Sequence, residues 1–527
     1  MQHRIASLVA IVLVVLTACT RTQTLIHPTD ELFRSVYHHS PETNWMNDPN
    51  GMFYDPATEL WHLYYQHYPE APVWGPMHWA HSVSRDLIHW DHLPIAIYPD
   101  SLGFIFSGSA VIDRNNTAGF GHNALVAVYT SAAEAQHQSI AYSLDTGRTF
   151  TKYEANPVLR GDIPDFRDPK VFWDEQSNQW TMALACQQEV RFYGSPDLKQ
   201  WTLLSRFGEG LGCHDGVWEC PDLIRFKIQN SRFKIDEDKY VLLVNINPGG
   251  PFGGSATQYF VGNWDGREFK CLNDPINDQM VPDPYGEADR SSETRKEMVN
   301  AKWLDYGKDH YATVTFHNAP DDRIVALGWM SNWQYANQLP TVAFRSQNTI
   351  ARDLSLYIDD AGEYRVRVLP APENEALKGD IVPQPTDACI ISLALSTEQD
   401  ALITLSNDLG EKVTMTLDCH HRTFSMDRTA AGDCSFSADF ATVTTVPLFK
   451  GLNDQMVNDP YGEADRSSET RKEMVHKKGI TLFIDHCSIE AFDAEGAWAM
   501  TNLVFPTQPY NHLEVVGGEA TIYDVIH

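Results

Sequence analysis

The sequence lacks the motifs that hold a metal ion or a nucleotide cofactor. Its nine cysteines are never spaced as Cys-x-x-Cys or in another zinc-ligand pattern. It has no His-x-x-x-His pair and no glycine-rich loop of the kind that binds phosphate. We therefore predict an activity that requires no cofactor and no metal. Four histidines that lie close together are interpreted as packing and rim residues rather than metal ligands: His78, His81, His89 and His92.

Positive charge is also scarce. The 527 residues include 40 Lys and Arg against 70 Asp and Glu, so the net charge is −30. A surface this acidic repels phosphate backbones and anionic lipid headgroups, so binding of nucleic acid is not expected. A neutral ligand such as a sugar is compatible with this charge.

Long amphipathic helices are missing as well. Short β-branched or aromatic runs, bounded by Gly, Pro, Asp or Asn, recur between about residues 33 and 355 and again from about 380. Examples are 61–65, 124–129, 180–186 and 240–244. Many short strands predict an all-β sandwich, barrel or propeller, and the periodicity does not choose among them.

The amino terminus has the features of an export signal. A nearly continuous apolar run, 5–16, follows a short basic start and is too short to span a membrane as a helix. Leu16-Thr17-Ala18-Cys19 comes next and is typical of a bacterial lipoprotein signal. We predict a signal peptide at 1–18, lipidation of Cys19, a tether at 19–32, and a membrane anchor at the periplasmic face or cell surface. The alternative is an ordinary secretory signal with an unrelated cysteine.

Three short strings each place one carboxylate beside aromatic, Pro or Arg neighbours. They are Trp-Met-Asn-Asp-Pro-Asn-Gly at 45–51, Phe-Arg-Asp-Pro at 166–169 and Trp-Glu-Cys-Pro-Asp at 218–222. Each string alone is compatible with a turn or a surface ion pair. Together, in this order, they resemble the β-fructosidases of glycoside hydrolase family 32, which include invertases, levanases and inulinases. The resemblance covers roughly residues 35–525.

The resemblance implies an architecture. It predicts an all-β chain with a five-bladed β-propeller at 33–355, a linker at 356–379 and a C-terminal β-sandwich at 380–527. The active site would lie in the central funnel of the propeller.

The resemblance also implies a mechanism. Asp48 would be the nucleophile, Glu219 the general acid/base, and Asp168 the carboxylate that stabilises the transition state. A retaining glycosidase needs such a nucleophile and acid/base pair. The implied activity is cleavage of β-fructofuranosidic bonds in sucrose or in the fructans levan and inulin, through a covalent fructosyl-enzyme.

Further residues match positions that contact the sugar in the family. They are Trp45, Met46, Asn47, Gln66, Trp74, Phe106, Ser107, Arg167, Tyr311 and Trp333. Asn47 and Asn50 are expected to donate hydrogen bonds to Asp48, because an ionised nucleophile needs donors. The chain departs from the family at Tyr68-Pro69, where Asn-Pro is common, which leaves the outer subsite open. Cys220 is expected to be a free thiol because it adjoins Glu219.

Two 22-residue segments are nearly identical. Residues 278–299 and 454–475 differ only where Pro282 stands against Asn458. Because the two segments fall in different predicted domains, a repeat of one fold unit does not explain them. We interpret them as copies of an inserted element in surface loops, at about 276–300 and 452–477. Deletion of either copy is expected to leave activity intact.

Two alternatives to a β-fructosidase remain. One is a five-bladed propeller glycosidase that acts on arabinose or xylose polymers, and the other is a fructan-binding surface lipoprotein without activity. The sequence also leaves open sucrose against levan or inulin, disulfide pairing and oligomeric state. Exo cleavage is favoured over endo cleavage, because a deep funnel suits a chain end.

Overall fold

The structure is a computed structural model that describes residues 28–230, 235–272, 301–359, 362–396, 398–448 and 477–526. The predicted signal peptide, Cys19 and both 22-residue copies lie outside these residues. The helices among the described residues are short: α1 (Pro28–Phe33) and three 3-10 turns, Pro320–Asp322, Ala336–Gln338 and Pro372–Leu377. Within the described part of the chain, no helix has the length and apolar composition needed to cross a membrane.

Five sheets follow one another along the first part of the chain. The first contains β1 (Asn44–Asp55), β2 (Leu60–Tyr68), β3 (His78–Ser84) and β4 (Trp90–Ile97). The second contains β5 (Phe104–Asp113), β6 (Ala124–Ala132), β7 (Gln136–Ser143), β8 (Thr151–Lys152) and β9 (Leu159–Arg160). The third contains β10 (Phe166–Asp174), β11 (Gln179–Cys186), β12 (Glu189–Ser195) and β13 (Thr202–Phe207).

The remaining two sheets complete this series. The fourth contains β14 (Val217–Asn230), β15 (Ile235–Asn247), β16 (Ala256–Trp264), β17 (Phe269–Cys271) and β18 (Lys302–Trp303). The fifth begins with β19 (Tyr311–Thr315) and β20 (Val325–Met330), and the chain then forms β21 (Phe344–Arg345), which pairs in parallel with β1. It ends with β22 (Gln347–Asn348), β23 (Arg352–Ile358) and β24 (Tyr364–Pro370).

The first strand of each sheet faces a common axis. β1 contacts β5 and β19, β10 contacts β5 and β14, and β14 contacts β19, so these five strands close a ring. Neighbouring strands within each sheet pair in antiparallel fashion, except that β21 joins the first sheet in parallel with β1. This arrangement is a five-bladed β-propeller, as predicted.

The second part of the chain is a two-layer sandwich. One sheet contains β25 (Lys378–Val382), β26 (Cys389–Ser396), β31 (Lys477–Asp485), β32 (Ser488–Asp493), β33 (Ala499–Leu503) and β35 (Gly518–Val525). The other contains β27 (Ala401–Ser406), β28 (Lys412–Asp418), β29 (Thr423–Ala430), β30 (Val443–Pro447) and β34 (His512–Val516). Leu393, Ile403 and Met415 are buried in the core that these two sheets share. The predicted C-terminal β-sandwich is therefore confirmed as a fold.

The sandwich packs firmly on the propeller. Phe483 and Phe492 lie in one buried apolar cluster with Leu354 and Val366 of the fifth blade. The segment 305–309 also runs against β33, where Tyr306 N donates to Ala499 O at 2.8 Å. A Cβ atom at Gly307 would lie 1.8 Å from Thr501 O, so this close approach requires glycine.

The structure differs from the predicted linker at 356–379. β24 lies inside that range and pairs along its length with β23 in the fifth blade. Val366 and Val368 alternate with Arg365 and Arg367 along β24 and belong to a buried apolar cluster, which gives the strand one apolar face.

Candidate active site

Each of the five innermost strands has an irregular register near the axis. The shifts lie between Met46 and Pro49, Phe106 and Gly108, Arg167 and Lys170, Glu219 and Asp222, and Tyr311 and Val314. Such bulges bend a strand and redirect its side chains. At these places the blades contribute Asp48, Ser107, Asp168, Glu219 and Tyr311. Hydrogen bonds link the first three through Cys220, and Tyr311 bonds Glu219.

Two site residues have unusual backbone conformations. Asp168 has φ of 64° and Cys220 has φ of 41°, both in the left-handed region that non-glycine residues rarely adopt. Thr130 Oγ1 of the neighbouring blade accepts a bond from Asp168 N at 3.0 Å and holds this turn in place. Such conformations often accompany functional sites.

Asp48 receives hydrogen bonds on both carboxylate oxygens. Ser107 Oγ donates to Oδ2 at 2.7 Å, and Asn47 Nδ2 donates to Oδ1 at 2.9 Å. The prediction that Asn47 supports Asp48 agrees with this geometry. Asn50 does not do so, because its Nδ2 donates to the backbone oxygen of Asp48 instead.

Asp168 and Asp48 converge on Cys220. The backbone N of Cys220 donates to Asp168 Oδ2 at 3.0 Å, and its Sγ lies 3.6 Å from an oxygen of each carboxylate. Burial raises the pKa of the Cys220 thiol well above its ordinary value, so it remains protonated and can donate. Cys220 is outside any disulfide, as expected.

Glu219 is held by two donors from other blades. Arg167 Nε and Nη2 donate to Oε1 at 3.1 and 2.9 Å, and the Tyr311 hydroxyl donates to Oε2. Burial raises the pKa of Tyr311, which keeps it a neutral donor. Trp218 is fully buried and packs on His214 and Phe260, on the opposite side of the strand from the Glu219 carboxylate.

The site is strongly acidic. Burial raises the pKa of Asp48, while hydrogen bonds from Ser107 and Asn47 oppose that shift. Burial also raises the pKa of Asp168 to about 7; Arg167 lowers it, and the charges of Glu219 and Asp48 raise it. Three carboxylates thus share one cation, and a proton is readily retained in this group.

Aromatic residues line the same region. The Trp45 indole donates to Asn47 Oδ1 at 2.7 Å and stacks on Trp333 with ring centroids 5.8 Å apart. Trp74 is 43% exposed and meets Phe106 edge-on with centroids 6.2 Å apart. Phe106 precedes Ser107, which bonds Asp48, and an exposed tryptophan beside Phe106 suits the apolar face of a sugar ring.

Two other predicted contacts are buried. Gln66 lies opposite the bulge that carries Asp48, and its Nε2 has no hydrogen-bond partner among the described residues. An unpaired buried N–H is costly and suits a ligand hydroxyl. Met46 is fully buried in an apolar cluster with Met52 and Leu63.

The clustered histidines form packing and polar contacts. His81 Nε2 lies 3.0 Å from His62 Nδ1, and His92 Nδ1 lies 3.0 Å from Ser82 Oγ. No group of three or more potential ligands that could hold a metal ion occurs among the residues described.

Sequence reasoning missed several supporting residues. Asp165 and Gln136 bond the far edge of Arg167, and Asn245 Nδ2 donates to Cys220 O at 3.0 Å. Asp165 stands two positions before Arg167 and could have been suspected as its partner. Gln136 and Asn245 lie on other strands and carry no sequence signal for this role.

Comparison with known families covers nearly the whole described chain. Residues 38–367 match the glycosyl hydrolases family 32 N-terminal domain. Residues 365–525 match the glycosyl hydrolases family 32 C-terminal domain. Both parts of the fold therefore match one family.

Individual relatives give the same result. The chain is 38% identical over 517 residues to a levanase of Bacillus subtilis, covering 92% of this chain and 68% of the relative. It is 46% identical over 338 residues to an extracellular exo-inulinase of Meyerozyma guilliermondii, and this match spans 62% of the chain and 60% of that relative's length. A solved fructofuranosidase from Schwanniomyces occidentalis, complexed with fructose, has a TM-score of 0.78 and 31% identity, covering 94% of this chain and 99% of that one.

Proposed function

The chain belongs to glycosyl hydrolase family 32 and is a glycosidase of the fructofuranosidase type, and on this basis we propose how it acts. The proposed substrates are sucrose or the fructans levan and inulin. The proposed reaction is hydrolysis of a β-fructofuranosidic bond with retention of configuration, through a covalent fructosyl-enzyme.

One observation supports the proposal most directly. Asp48 and Asp168, from different blades, each place an oxygen 3.6 Å from Cys220 Sγ, and Glu219 is the adjacent residue. Arg167 Nε lies 3.1 Å from Glu219 Oε1 and 3.9 Å from Asp168 Oδ2, so the three carboxylates lie in one group. A retaining glycosidase requires two of them for chemistry, and the third can stabilise positive charge on the sugar.

In the first proposed step, Asp48 attacks the anomeric carbon of fructose while Glu219 protonates the leaving oxygen. Ser107 and Asn47 support Asp48 because their donors favour its ionised form. The bond from the anomeric carbon to the leaving oxygen breaks as the bond to Asp48 forms. Asp168 stabilises the oxocarbenium-like transition state through its adjacent charge.

In the second proposed step, ionised Glu219 removes a proton from water, which attacks the anomeric carbon and releases Asp48. Two inversions give net retention. Arg167 and Tyr311 support both steps, because each donates to a different oxygen of Glu219 and so holds its orientation.

The sugar is proposed to bind between donors and aromatic rings. The Gln66 amide N–H and the polar groups of Ser107 and Asn47 would contact fructose hydroxyls. Trp74 would cover an apolar sugar face at the mouth of the site, since it is both exposed and adjacent to Phe106. Exo cleavage remains our proposal.

Export and lipid anchoring are proposed from the sequence of residues 1–19. The first side chain beyond the tether that packs in the core is Phe33, which meets Phe505 of the sandwich with ring centroids 5.1 Å apart. A lipid at Cys19 would then tether the enzyme through its sandwich side. The Meyerozyma guilliermondii relative supports export, since it is named an extracellular exo-inulinase.

The rival functions receive less support. Both domains match family 32, which favours fructofuranosides over polymers of arabinose or xylose. The presence of all three carboxylates argues against a binding protein without activity.

Hydrolysis assays with sucrose, levan and inulin test the proposal. Chromatography would show free fructose from the outset for exo cleavage, or early oligosaccharides for endo cleavage. NMR during the first turnovers would show β-fructofuranose if the configuration is retained, and the α-anomer would contradict the mechanism. Absence of any product from folded protein would favour one of the rival functions.

A further inference from the structure

The guanidinium group of Arg167 donates hydrogen bonds from two opposite edges. Nε and Nη2 donate to Glu219 Oε1, at 3.1 and 2.9 Å. Nη1, on the far edge, bonds Asp165 Oδ1 at 2.5 Å and Gln136 Oε1 at 3.3 Å. The Arg167 side chain is only 12% exposed, so protein groups rather than bulk water satisfy these donors.

A second carboxylate competes for the near edge. Arg167 Nε lies 3.9 Å from Asp168 Oδ2, and the Asp168 side chain is 6% exposed against 19% for Glu219. A guanidinium group is planar and directs its donors in a fixed fork, so its orientation decides which carboxylate receives two N–H groups. A small rotation would move donors from Glu219 towards Asp168.

The far-edge partners are themselves fixed. Gln136 Oε1 also accepts a bond from Phe166 N at 2.9 Å, and Gln136 begins β7 of the second blade. Asp165 has φ of 52°, and its carbonyl accepts a bond from Gln187 N at 3.0 Å. The two acceptors therefore come from different blades and define the plane of Arg167 from outside the site.

We propose that Asp165 and Gln136 are positioning residues for the general acid/base. They hold the far edge of Arg167, and the near edge then fixes Glu219 Oε1 while Tyr311 fixes Oε2. This inference rests on the proposed function, because it assumes that Glu219 transfers the proton. Small displacements of a catalytic group lower rates strongly, so a loose Arg167 impairs proton transfer.

The test compares two substrates that differ in their need for a proton. Sucrose requires protonation of its leaving oxygen, whereas the fluoride of β-fructofuranosyl fluoride leaves with little help. The value of kcat/KM reports the steps up to the fructosyl-enzyme for both. Gln136→Met and Asp165→Ala remove an acceptor, while Asp165→Asn retains one.

Gln136→Met and Asp165→Ala are expected to lower kcat/KM for sucrose about tenfold, a part of the 100- to 10,000-fold that general acid catalysis supplies. Their kcat/KM for the fluoride should stay close to the wild-type value. Asp165→Asn should retain most activity on sucrose. The matched control is Asp162→Ala in the same segment. The Asp162 side chain is 69% exposed and pairs with Arg191. The kcat/KM values of this variant for both substrates should be unchanged.

Equal decreases in kcat/KM for both substrates would indicate a role in folding or sugar binding and would overturn the inference. An unchanged kcat/KM for sucrose would also overturn it. A crystal structure of Gln136→Met gives a readout that does not depend on turnover. Arg167 Nε should then have left hydrogen-bonding distance of Glu219 Oε1, and an unmoved guanidinium group would refute the positioning role. If the wild-type protein cleaved neither substrate, the proposed function would fail, while the crystal structure would still decide the geometric claim.

Discussion

Asp309 of the propeller and Arg428 of the sandwich form a buried ion pair. Arg428 Nη1 donates to Asp309 Oδ2, and both side chains are at most 1% exposed. Leu503 N and the Tyr335 hydroxyl also donate to the Asp309 carboxylate. Asp309 stands two residues before Tyr311, which bonds Glu219, so the sandwich anchors the strand that reaches the Glu219 carboxylate.

Arg428→Met is expected to lower the free energy of unfolding by about 3–5 kcal/mol, because it leaves the Asp309 charge buried without its cation. Urea unfolding followed by tryptophan fluorescence would measure this. The control is Lys227→Met, which removes an ion pair between side chains that are 50% and 77% exposed and should change stability by less than about 1 kcal/mol. Similar effects of the two changes would contradict the role assigned to the buried pair.

Asp48→Ala and Glu219→Ala are each expected to lower kcat on sucrose by about 1,000-fold or more, since general acid or nucleophilic groups contribute on this scale. Added azide distinguishes the two roles. It should yield α-fructosyl azide with Asp48→Ala, where it replaces the nucleophile, and β-fructosyl azide with Glu219→Ala, where it replaces water. Substantial residual hydrolysis in a folded variant would remove that residue's role.

Ser107→Ala should lower kcat about 10- to 100-fold, because it removes a hydrogen bond to a charged group worth about 1.5–3 kcal/mol. Steady-state kinetics on sucrose would measure the loss. Ser139→Ala is the control, since it removes the 2.8 Å contact with Ser131 in the interior of the second blade. If Ser139→Ala lowered kcat and Ser107→Ala did not, this would count against a specific role for Ser107.

Asp168→Asn should abolish efficient turnover and yet stabilise the fold above pH 7. Because the pKa of Asp168 is raised from 3.8 to about 7, the folded state binds the proton more tightly than the unfolded state. The contribution of Asp168 to the free energy of unfolding therefore falls as pH rises from 3.8 to about 7. Thermal unfolding at pH 5 and pH 8 should show a larger gain in Tm for the variant at pH 8. An equal or smaller gain at pH 8 would contradict the raised pKa.

His38 should stabilise the fold only while it is protonated. Burial lowers its pKa, but hydrogen bonds with Asp485 and Glu490 prevail and raise it from 6.5 to about 9. The stabilisation is then complete below pH 6.5 and is lost as pH rises through 9. The free energy of unfolding in urea should differ between the wild type and His38→Gln most at pH 6 and least near pH 9.5. His89→Gln, which removes an exposed pair with Asp86, should show no such trend.

Several features of the fold could be predicted from the chain alone. Runs such as 61–65 and 180–186 are rich in aromatic or apolar residues, and they lie within β2 and β11. The choice of a propeller came from the resemblance, because local periodicity is the same in a barrel or a sandwich. β24 was placed in the predicted linker, although its valines alternate with Arg365 and Arg367.

The site was predicted in part. Asn47 supports Asp48 as expected, but Asn50 bonds the backbone of Asp48 rather than its carboxylate. Trp218 adjoins Glu219 in the sequence but packs on His214 and Phe260, because adjacent strand residues face opposite sides of a sheet. The Arg167 guanidinium and the Tyr311 hydroxyl contact that carboxylate instead.

The sequence by itself determined the chemistry that is available: three carboxylates in recognisable strings, a chain of short strands, and a strongly acidic composition. Only the tertiary structure decided which of these side chains contact one another. The five inner strands are far apart in the chain, and ring closure brings Asp48 and Asp168 to Cys220, the neighbour of Glu219. The bulges then set the direction of each side chain, and hydrogen bonds between blades, such as those from Arg167, hold it there. Such contacts depend on the three-dimensional path of the whole chain, so no local pattern specifies them.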